Sequence, residues 1–519
     1  ARGEPQTPWV EGMQYKHLEK FGWIKFDLLG LETLRLVERT IELILKRHHG
    51  IEEPTFADIK EWFDNNMDPK VLDMNDQKVY DYVYDQGHFA GVFQLTSGGA
   101  QRLFQKAKPK SIVDIATLTS IYRPGPLHAK VDKLYVKAKN DPENIDYGHP
   151  LIKEVLEETF GMIVFQEQVM KLCSIVAGFP EAETDTIRRN IMKRTGAKQA
   201  ETMAAAMAAK KDFVAGSVKN GVPERVADEL YEKILFFAGY GFNRAHAVSY
   251  AVDSYYCAWL HTYYEEEWLC AYLEAMSTND KKRARAFAEV KKMGYKIVPI
   301  DINHAEKTWT ILPGKKFMPS FLSCKGIGEA AIDEILAHRP FKNVNDMLWN
   351  DTGKWRFSKF NKRALEALIS IRAFESLDTV GSGKMFENYR QMHDVLINSN
   401  SDIKKWTKKD TQRGINNFKE ALLNSSGMPP WSRREIADNS VKYLGSFNAN
   451  ALIPEAALAK LDKLNIESLD EIQHKDLYWF LVGEAIPKLT KNGRPYLIVT
   501  GVGASGGRHR MFCWGWDGK

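Results

Sequence analysis

Four cations, Arg188, Arg189, Lys193 and Arg194, crowd one short segment of helical character. Charges so placed repel one another unless an anion sits beside them, and arginine forks suit the paired oxygens of a phosphate. A solvated helix end would tolerate them too. A second stretch, Phe236 to Ala251, combines aromatics, two glycines, Arg244 and His246. Gly239 and Gly241 let backbone approach a ligand closely, Tyr240 and Phe242 offer flat apolar faces, and Arg244 and His246 are donors suited to phosphate. The plainer reading is a glycine turn before a buried aromatic helix. A third site is the alternating run 22–29. As a strand it puts Lys25 and Asp27 on one face, about 7 Å apart. Aspartate suits a hard divalent cation and lysine a phosphate; a surface ion pair would look the same. Arg123 is a further candidate. It sits in Tyr122-Arg123-Pro124-Gly125-Pro126, which reads as a rigid turn and presents the arginine to a phosphate or anchors the turn on a carboxylate.

The elements that position these residues follow from periodicity. Leu31 to Arg47 reads as an amphipathic helix through Leu34, Val37, Ile41 and Ile44. Glu167 and Gln168 open a helix running to Ala177, with Glu167 structural rather than catalytic. The cation-rich helix spans about Thr184 to Thr195, with Thr184 as N-cap, Gly196 as the stop, and Ile187 and Ile191 facing the core. Residues 197–222 read as an Ala- and Lys-rich helix, and an aromatic helix runs from Ala247 to about Met276. Lys281 to Met293 reads as a basic helix and Gly294 onward as a short strand. In Leu322 to Leu336, Gly326 and Gly328 form a tight turn before a helix. Its N–H groups can face a phosphate, and Lys325 adds charge. Residues 376–428 are polar and read as a variable linker. Leu477 to Trp516 alternates like the start of an OB-fold.

The chain has 519 residues, more than one compact core holds, so two to four domains are expected. Hydrophobic content of 44% and charged content of 27% describe an ordinary globular protein, and the net charge of +5 fits a nucleic-acid partner without proving one. Cys173, Cys257, Cys270, Cys324 and Cys513 form no Cys-x-x-Cys pair. They read as reduced thiols in a cytoplasmic protein with no structural zinc. No apolar run reaches membrane length. The chain begins at Ala1, and its first residues read as the middle of a domain, so a fragment, a processed product or one piece of a split protein is expected.

Phe237-Ala-Gly-Tyr-Gly-Phe-Asn-Arg-Ala-His246 closely resembles the fingers signature of the C-family replicative DNA polymerases, the alpha subunits of bacterial DNA polymerase III. Arg244, Ala245 and Ala247 depart from its usual Lys, Ser and Ser. Lys25-Phe-Asp-Leu-Leu-Gly-Leu31 is similar to the family's palm-strand motif, which implies a catalytic, metal-holding role for Asp27 and a place for Lys25 near the incoming triphosphate. Ile187-Arg-Arg-Asn-Ile-Met-Lys-Arg194 resembles the segment whose arginines grip the triphosphate. That resemblance implies triphosphate contacts from Arg188 and Arg189, with Lys193 and Arg194 as supporting charge. Phe89 to Leu103, the Arg-Pro-Gly-Pro string, Tyr147 to Leu151, Gly161 to Met170 and Asn361 to Ser370 match in the same way. With them, Lys325, Gly326 and Gly328 read as a helix-hairpin-helix contact to DNA that ignores sequence.

The resemblance implies a mainly α chain with small β elements (α+β). Expected divisions are 1–30, end of a palm; 31–305, fingers; 306–375, helix-hairpin-helix; 376–476, variable linker and helical segment; 477–519, partial OB-fold. It implies a DNA-directed DNA polymerase that uses dNTPs, primer-template DNA and a Mg²⁺ pair. The triphosphate would be held by Arg123, Arg188, Arg189, Lys193, Arg194, Arg244 and His246, with His246 a candidate proton donor to pyrophosphate. The family's Asp-x-Asp pair does not occur in the sequence, so a companion segment carrying the remaining palm is expected. A sliding clamp is a further candidate partner, with Gln412 to Phe418 as a poor match to a clamp-binding peptide. The rival reading is a non-catalytic clamp on duplex DNA.

Overall fold

The computed structural model describes residues 22, 30–192, 199–238, 241–277 and 279–445. Beyond these it describes 453, 455–464, 466–469, 477–490, 492–503 and 508–515. The chain is mainly helical with small sheets. Lys25, Asp27, Lys193 and Arg194, and the expected strand at 23–29, lie outside the described residues.

Three hydrophobic clusters organise the helices. The first is built on α1 (Glu32–His49), whose stripe Leu36, Val37, Ile41, Ile44 is buried as its period requires. Leu34, expected in that stripe, is 47% exposed. It sits in the first turn of α1, where the helix has only begun to meet its neighbours. α1 packs on Glu265–Met276 through Trp268, Leu269 and Leu273. Arg39 donates to Glu274 at 3.0 Å across the seam, and Arg47 pairs with Glu266 at 2.8 Å and with Glu267. The single aromatic helix expected up to Met276 is two, Arg244–Tyr263 and Glu265–Met276, because Tyr264 leaves the helical region. The first of these packs on α2 (Ile112–Ile121) with Ala247, Ala251 and Ala258 buried.

The second cluster joins α3 (Gln166–Lys171), which continues as a π-helical turn at Leu172–Val176, to α4 (Glu181–Met192), α5 (Gln199–Lys219) and α6 (Glu224–Ala238). We number Arg244–Tyr263 as α7 and Glu265–Met276 as α8. Thr184 is no N-cap. It lies inside α4, buried, with its hydroxyl donating to the Glu181 carbonyl. The helix starts earlier because Pro180 fits the position before it, accepting from the Glu183 N–H at 2.9 Å. Helix α5 carries Gly216 because a Cβ there would stand 2.0 Å from the Ala177 carbonyl oxygen.

The third cluster spans residues 300–443. It includes α9 (Glu329–His338), α10 (Lys362–Ser370), α11 (Asn400–Lys409) and α12 (Thr411–Asn424). This corrects the linker expectation for 376–428: Met392, Val395, Leu396, Ile403 and Phe418 are buried in the core that also holds Ile332 and Leu365. The clamp-peptide candidate Gln412 to Phe418 is likewise part of α12, with Phe418 buried. Polar composition misled here because the apolar residues are few but fall on one face of each helix.

The strands are short. β1 (Lys296–Ile297), β2 (Thr310–Leu312) and β3 (Lys316–Met318) form a sheet in the order β1-β3-β2, parallel then antiparallel. β4 (Glu467–Ser468) pairs with β5 (Tyr478–Trp479), and β6 (Leu481–Leu489), β7 (Pro495–Val502) and β8 (Arg508–Trp514) form an antiparallel meander with a register shift between Val482 and Glu484. Tyr496, Phe512 and Trp514 stack on one face of it.

His261 is fully buried near His88, and among the described residues neither of its ring nitrogens has a hydrogen-bond partner. Burial, then the charge of His88, hold its imidazole down to about 3. An unfolded chain takes up that proton below about pH 6.5. Stability is therefore full above pH 6.5 and falls as the pH drops from there toward 3. His261→Phe should flatten this acid limb in urea unfolding run from pH 7 to 4; an unchanged limb assigns it to other groups. Gly216→Ala sets a helix-propensity gain of about 1 kcal/mol against overpacking on immobile backbone, typically 1–3 kcal/mol. The urea midpoint should fall, and a rise would mean that Ala177 yields.

Candidate functional site

Two stretches that are far apart in sequence meet at Phe165 and Phe242, which form an isolated parallel bridge. The Phe242 N–H donates to the Val164 carbonyl at 3.0 Å, and the Gln166 N–H donates to the Phe242 carbonyl at 2.9 Å. The Gln166 side-chain amide adds a bond to the Gly241 carbonyl at 3.2 Å. Glu167, in the first turn of α3, accepts from the Arg244 N–H at 2.9 Å and from Asn243 Nδ2 at 3.0 Å. Asn243 caps α7, its Oδ1 accepting from the His246 N–H at 2.8 Å. Such a cap contributes about 1 kcal/mol.

The candidate residues gather on this frame. Arg244 makes a two-pronged pair with Glu158, at 2.5 and 2.8 Å, with both side chains about a third exposed. Arg188 donates to Gln166 Oε1 at 2.7 Å and to Asp185 Oδ1 at 2.9 and 2.6 Å. Arg123 lies 4.5 Å from the centre of the Phe242 ring, and its Nε donates to the Ser120 carbonyl at 2.6 Å. Burial lowers the pKa of its guanidinium. Tyr122-Arg-Pro-Gly-Pro is not a free turn; Pro124 opens a short helix, Pro124–His128, as proline favours at the first position. His246 is exposed, with its ring 5.4 Å from Phe242 and 4.1 Å from Tyr250, and Tyr250 in turn meets Phe93 at 5.2 Å. Arg189 lies on α4 in sequence order.

Arg123, Arg188, Arg244 and His246 are thus assembled around Phe242 and Gln166. Lys325, Gly326 and Gly328 belong to the other core. The Lys325 N–H donates to the Tyr443 carbonyl at 2.7 Å, Gly326 takes φ 108°, and Gly328 precedes α9. Cys324 and Ile327 are buried on either side, while Lys325 is exposed. Glu334 of α9 accepts from the backbone N–H groups of Ser358, Lys359 and Phe360 at 2.6–2.7 Å. Burial alone would raise its pKa, but these bonds outweigh burial and hold it below the usual carboxylate range. Among the described residues no group of three or more His, Cys, Asp or Glu could hold a metal ion.

Sequence reasoning missed Gln166, Glu158, Asn243 and Tyr250. Only Asn243 carried a readable signal, as an N-cap residue directly before a helix. Gln166 and Glu158 act through contacts 22 to 86 residues distant, and Tyr250 joins His246 to Phe93 of a remote segment, which no local pattern records. Glu167→Ala removes two of the bonds that hold the Asn243–Arg244 turn. Amide exchange at 242–246 should quicken by about tenfold, as a loss of about 1.4 kcal/mol gives. Unchanged exchange would show that the Phe165–Phe242 bridge suffices alone.

No helix among the described residues is long and apolar enough to cross a membrane. Residues 34–221 match the model of the bacterial DNA polymerase III alpha subunit finger domain, and residues 294–381 match a helix-hairpin-helix motif. The chain is 35% identical over 400 residues to the DNA polymerase III subunit alpha of Campylobacter jejuni, covering 75% of this chain and 31% of that protein. The Aquifex aeolicus subunit is 35% identical over 362 residues, covering 69% of this chain and 29% of its own length. The Staphylococcus aureus subunit (strain MSSA476) is 30% identical over 492 residues, covering 93% of this chain and 42% of that protein. The chain therefore spans between 29% and 42% of the length of these curated relatives. With a finger domain on the frame that gathers the arginines and a helix-hairpin-helix around Gly326, the chain belongs to the DNA polymerase III alpha-subunit family.

Proposed function

We propose that this chain is the nucleotide- and DNA-holding part of a DNA-directed DNA polymerase. In that reaction a primer 3′-hydroxyl attacks the α-phosphorus of a dNTP, a new P–O bond forms, and pyrophosphate leaves. The observation that supports the reading is the gathering of Arg123, Arg188, Arg244 and His246 around Phe242 and Gln166. Arg188 turns from Asp185 to the triphosphate, whose charge exceeds that of one carboxylate. Arg123, stacked on Phe242, presents a preset fork at low entropic cost. Arg244 keeps Glu158 and holds the segment, so its part is to position rather than to bind. His246, exposed and stacked, faces the leaving pyrophosphate. The family resemblance assigns Arg189, Lys193, Arg194 and Lys25 to the same triphosphate.

Activation of the primer hydroxyl and neutralisation of the leaving charge are the chemistry of bound Mg²⁺, and Asp27 is the ligand this sequence offers. The remaining palm carboxylates are assigned to a companion segment. Duplex product lies against the Lys325–Gly328 turn, whose exposed lysine and backbone N–H groups suit a phosphate.

Primer extension with Mg²⁺ and dNTPs, by this chain alone and then mixed with a polypeptide supplying the rest of the palm, tests the reading. Extension in the mixture alone is expected. Extension by the chain alone would place the missing carboxylates within it, and salt-sensitive DNA binding with no extension in either would favour the clamp. Arg188→Ala should raise the dNTP Kd by about 10–100-fold, the loss of one charge-assisted contact of about 1.5–3 kcal/mol. An unchanged Kd removes Arg188 from the triphosphate site.

A further inference from the structure

Helices α11 and α12 form a tight hairpin. Gly414 lies so close to α11 that a Cβ would stand 2.4 Å from the Thr407 backbone nitrogen. Ile403, Thr407 and Phe418 are buried on the inner side, in the core shared with α9 and α10. The other side of α11 carries Lys404, Lys405, Lys408 and Lys409. At 100° per residue they fill an arc of about 140° that excludes Ile403 and Thr407. Arg413, from the start of α12, lies 3.6 Å over the ring of Trp406.

None of these five cations lies in an ion pair with a carboxylate among the described residues. Several cations elsewhere are paired, Arg39 with Glu274, Arg47 with Glu266, Arg244 with Glu158 and Arg390 with Glu435, whereas α11 gathers four lysines on one face. Lys404 and Lys408, and Lys405 and Lys409, are like charges four apart, which costs an isolated helix a few tenths of a kcal/mol per pair. Burial, then Lys408, lower the pKa of Lys404, while Glu334 of α9 pulls it up. The arc and the Gly328 turn stand on one hydrophobic core, which holds Ile403 and Phe418 together with Cys324, Ile327 and Ile332.

We infer that the arc formed by Lys404, Lys405, Lys408, Lys409 and Arg413 is a second contact for the sugar–phosphate backbone of duplex DNA, continuing the track that begins at Lys325. The inference rests on the reading of that turn as a DNA contact. The surface offers a row of lysines at helical spacing, which suits a regularly charged polymer and carries no sequence preference. Trp406 holds Arg413 in place beneath the track. An acidic protein is the alternative occupant; Trp406, half-buried beside the arc, is covered by Arg413 and is not presented as an apolar anchor.

The test is fluorescence-anisotropy titration of duplex DNA with the full chain across 50–200 mM salt. It compares the wild type, Lys325→Gln, and the combined Lys405→Gln, Lys408→Gln, Lys409→Gln, Arg413→Gln variant, with thermal melts to confirm folding. The combined variant should lower the magnitude of the log Kd against log salt slope by about 3–4, and Lys325→Gln by about 1. If Lys325→Gln changes the slope and the combined variant does not, the arc is not a DNA contact and an acidic protein becomes its candidate partner. If the wild type does not bind duplex DNA, both the arc and the turn lose their assignment.

Discussion

The backbone bridge between Phe165 and Phe242 carries the site. Two hydrogen bonds, Phe242 N–H to Val164 and Gln166 N–H to Phe242, tie the segment that leads into α3 to the start of α7. Arg123, Arg188, Arg244 and His246 meet at that junction. Arg188 is held by the side chain of the bridged Gln166, Arg244 by Glu158 and Glu167, and Arg123 and His246 by the ring of Phe242. A single misplaced register here would scatter four side chains at once. Such coupling suits a site that must meet a flexible, highly charged ligand with preset donors.

The bridge stays in place because both ends stand on buried helices. Phe165 is fully buried in the first core, and α7 is anchored through Ala251, Tyr255 and Ala258 against α2 and its neighbours. The small residues on α7 allow the close approach, while Trp268, with its indole N–H on the Ala90 carbonyl at 2.8 Å, closes the core from the α8 side. The arginines therefore sit at the edge of a rigid body and keep their heads partly in water. Pairing with Asp185 and Glu158 holds them in position without burying an unpaired charge, which would be strongly unfavourable.

Charge is distributed differently in the two halves of the chain. Around Phe242 most cations have carboxylate partners that a polyphosphate could displace or leave in place. Around α11 they stand together with no ion pair among the described residues. The first arrangement suits a small ligand that arrives and leaves; the second suits a long polyanion that screens several lysines together.

The sequence determined the local elements and the stretches that matter. A 3.6-residue period marked α1, and Ala- and Lys-rich composition marked α5, to within a few residues, because those signals reside in neighbouring side chains. The family resemblance named 187–194 and 236–251 as one site, and the helix-hairpin-helix turn was legible in Lys325-Gly-Ile-Gly. What the sequence could not supply was adjacency. Glu167 and Arg244 are 77 residues apart, and Glu158 and Arg244 are 86 apart. Burial is also a long-range property. Residues 376–428 read as a linker because their composition is polar, yet Ile403 and Phe418 are core. Only the tertiary structure decided these points, since a helix face becomes inside or outside by what the rest of the chain packs against it, and a carboxylate becomes a partner only where folding brings its arginine.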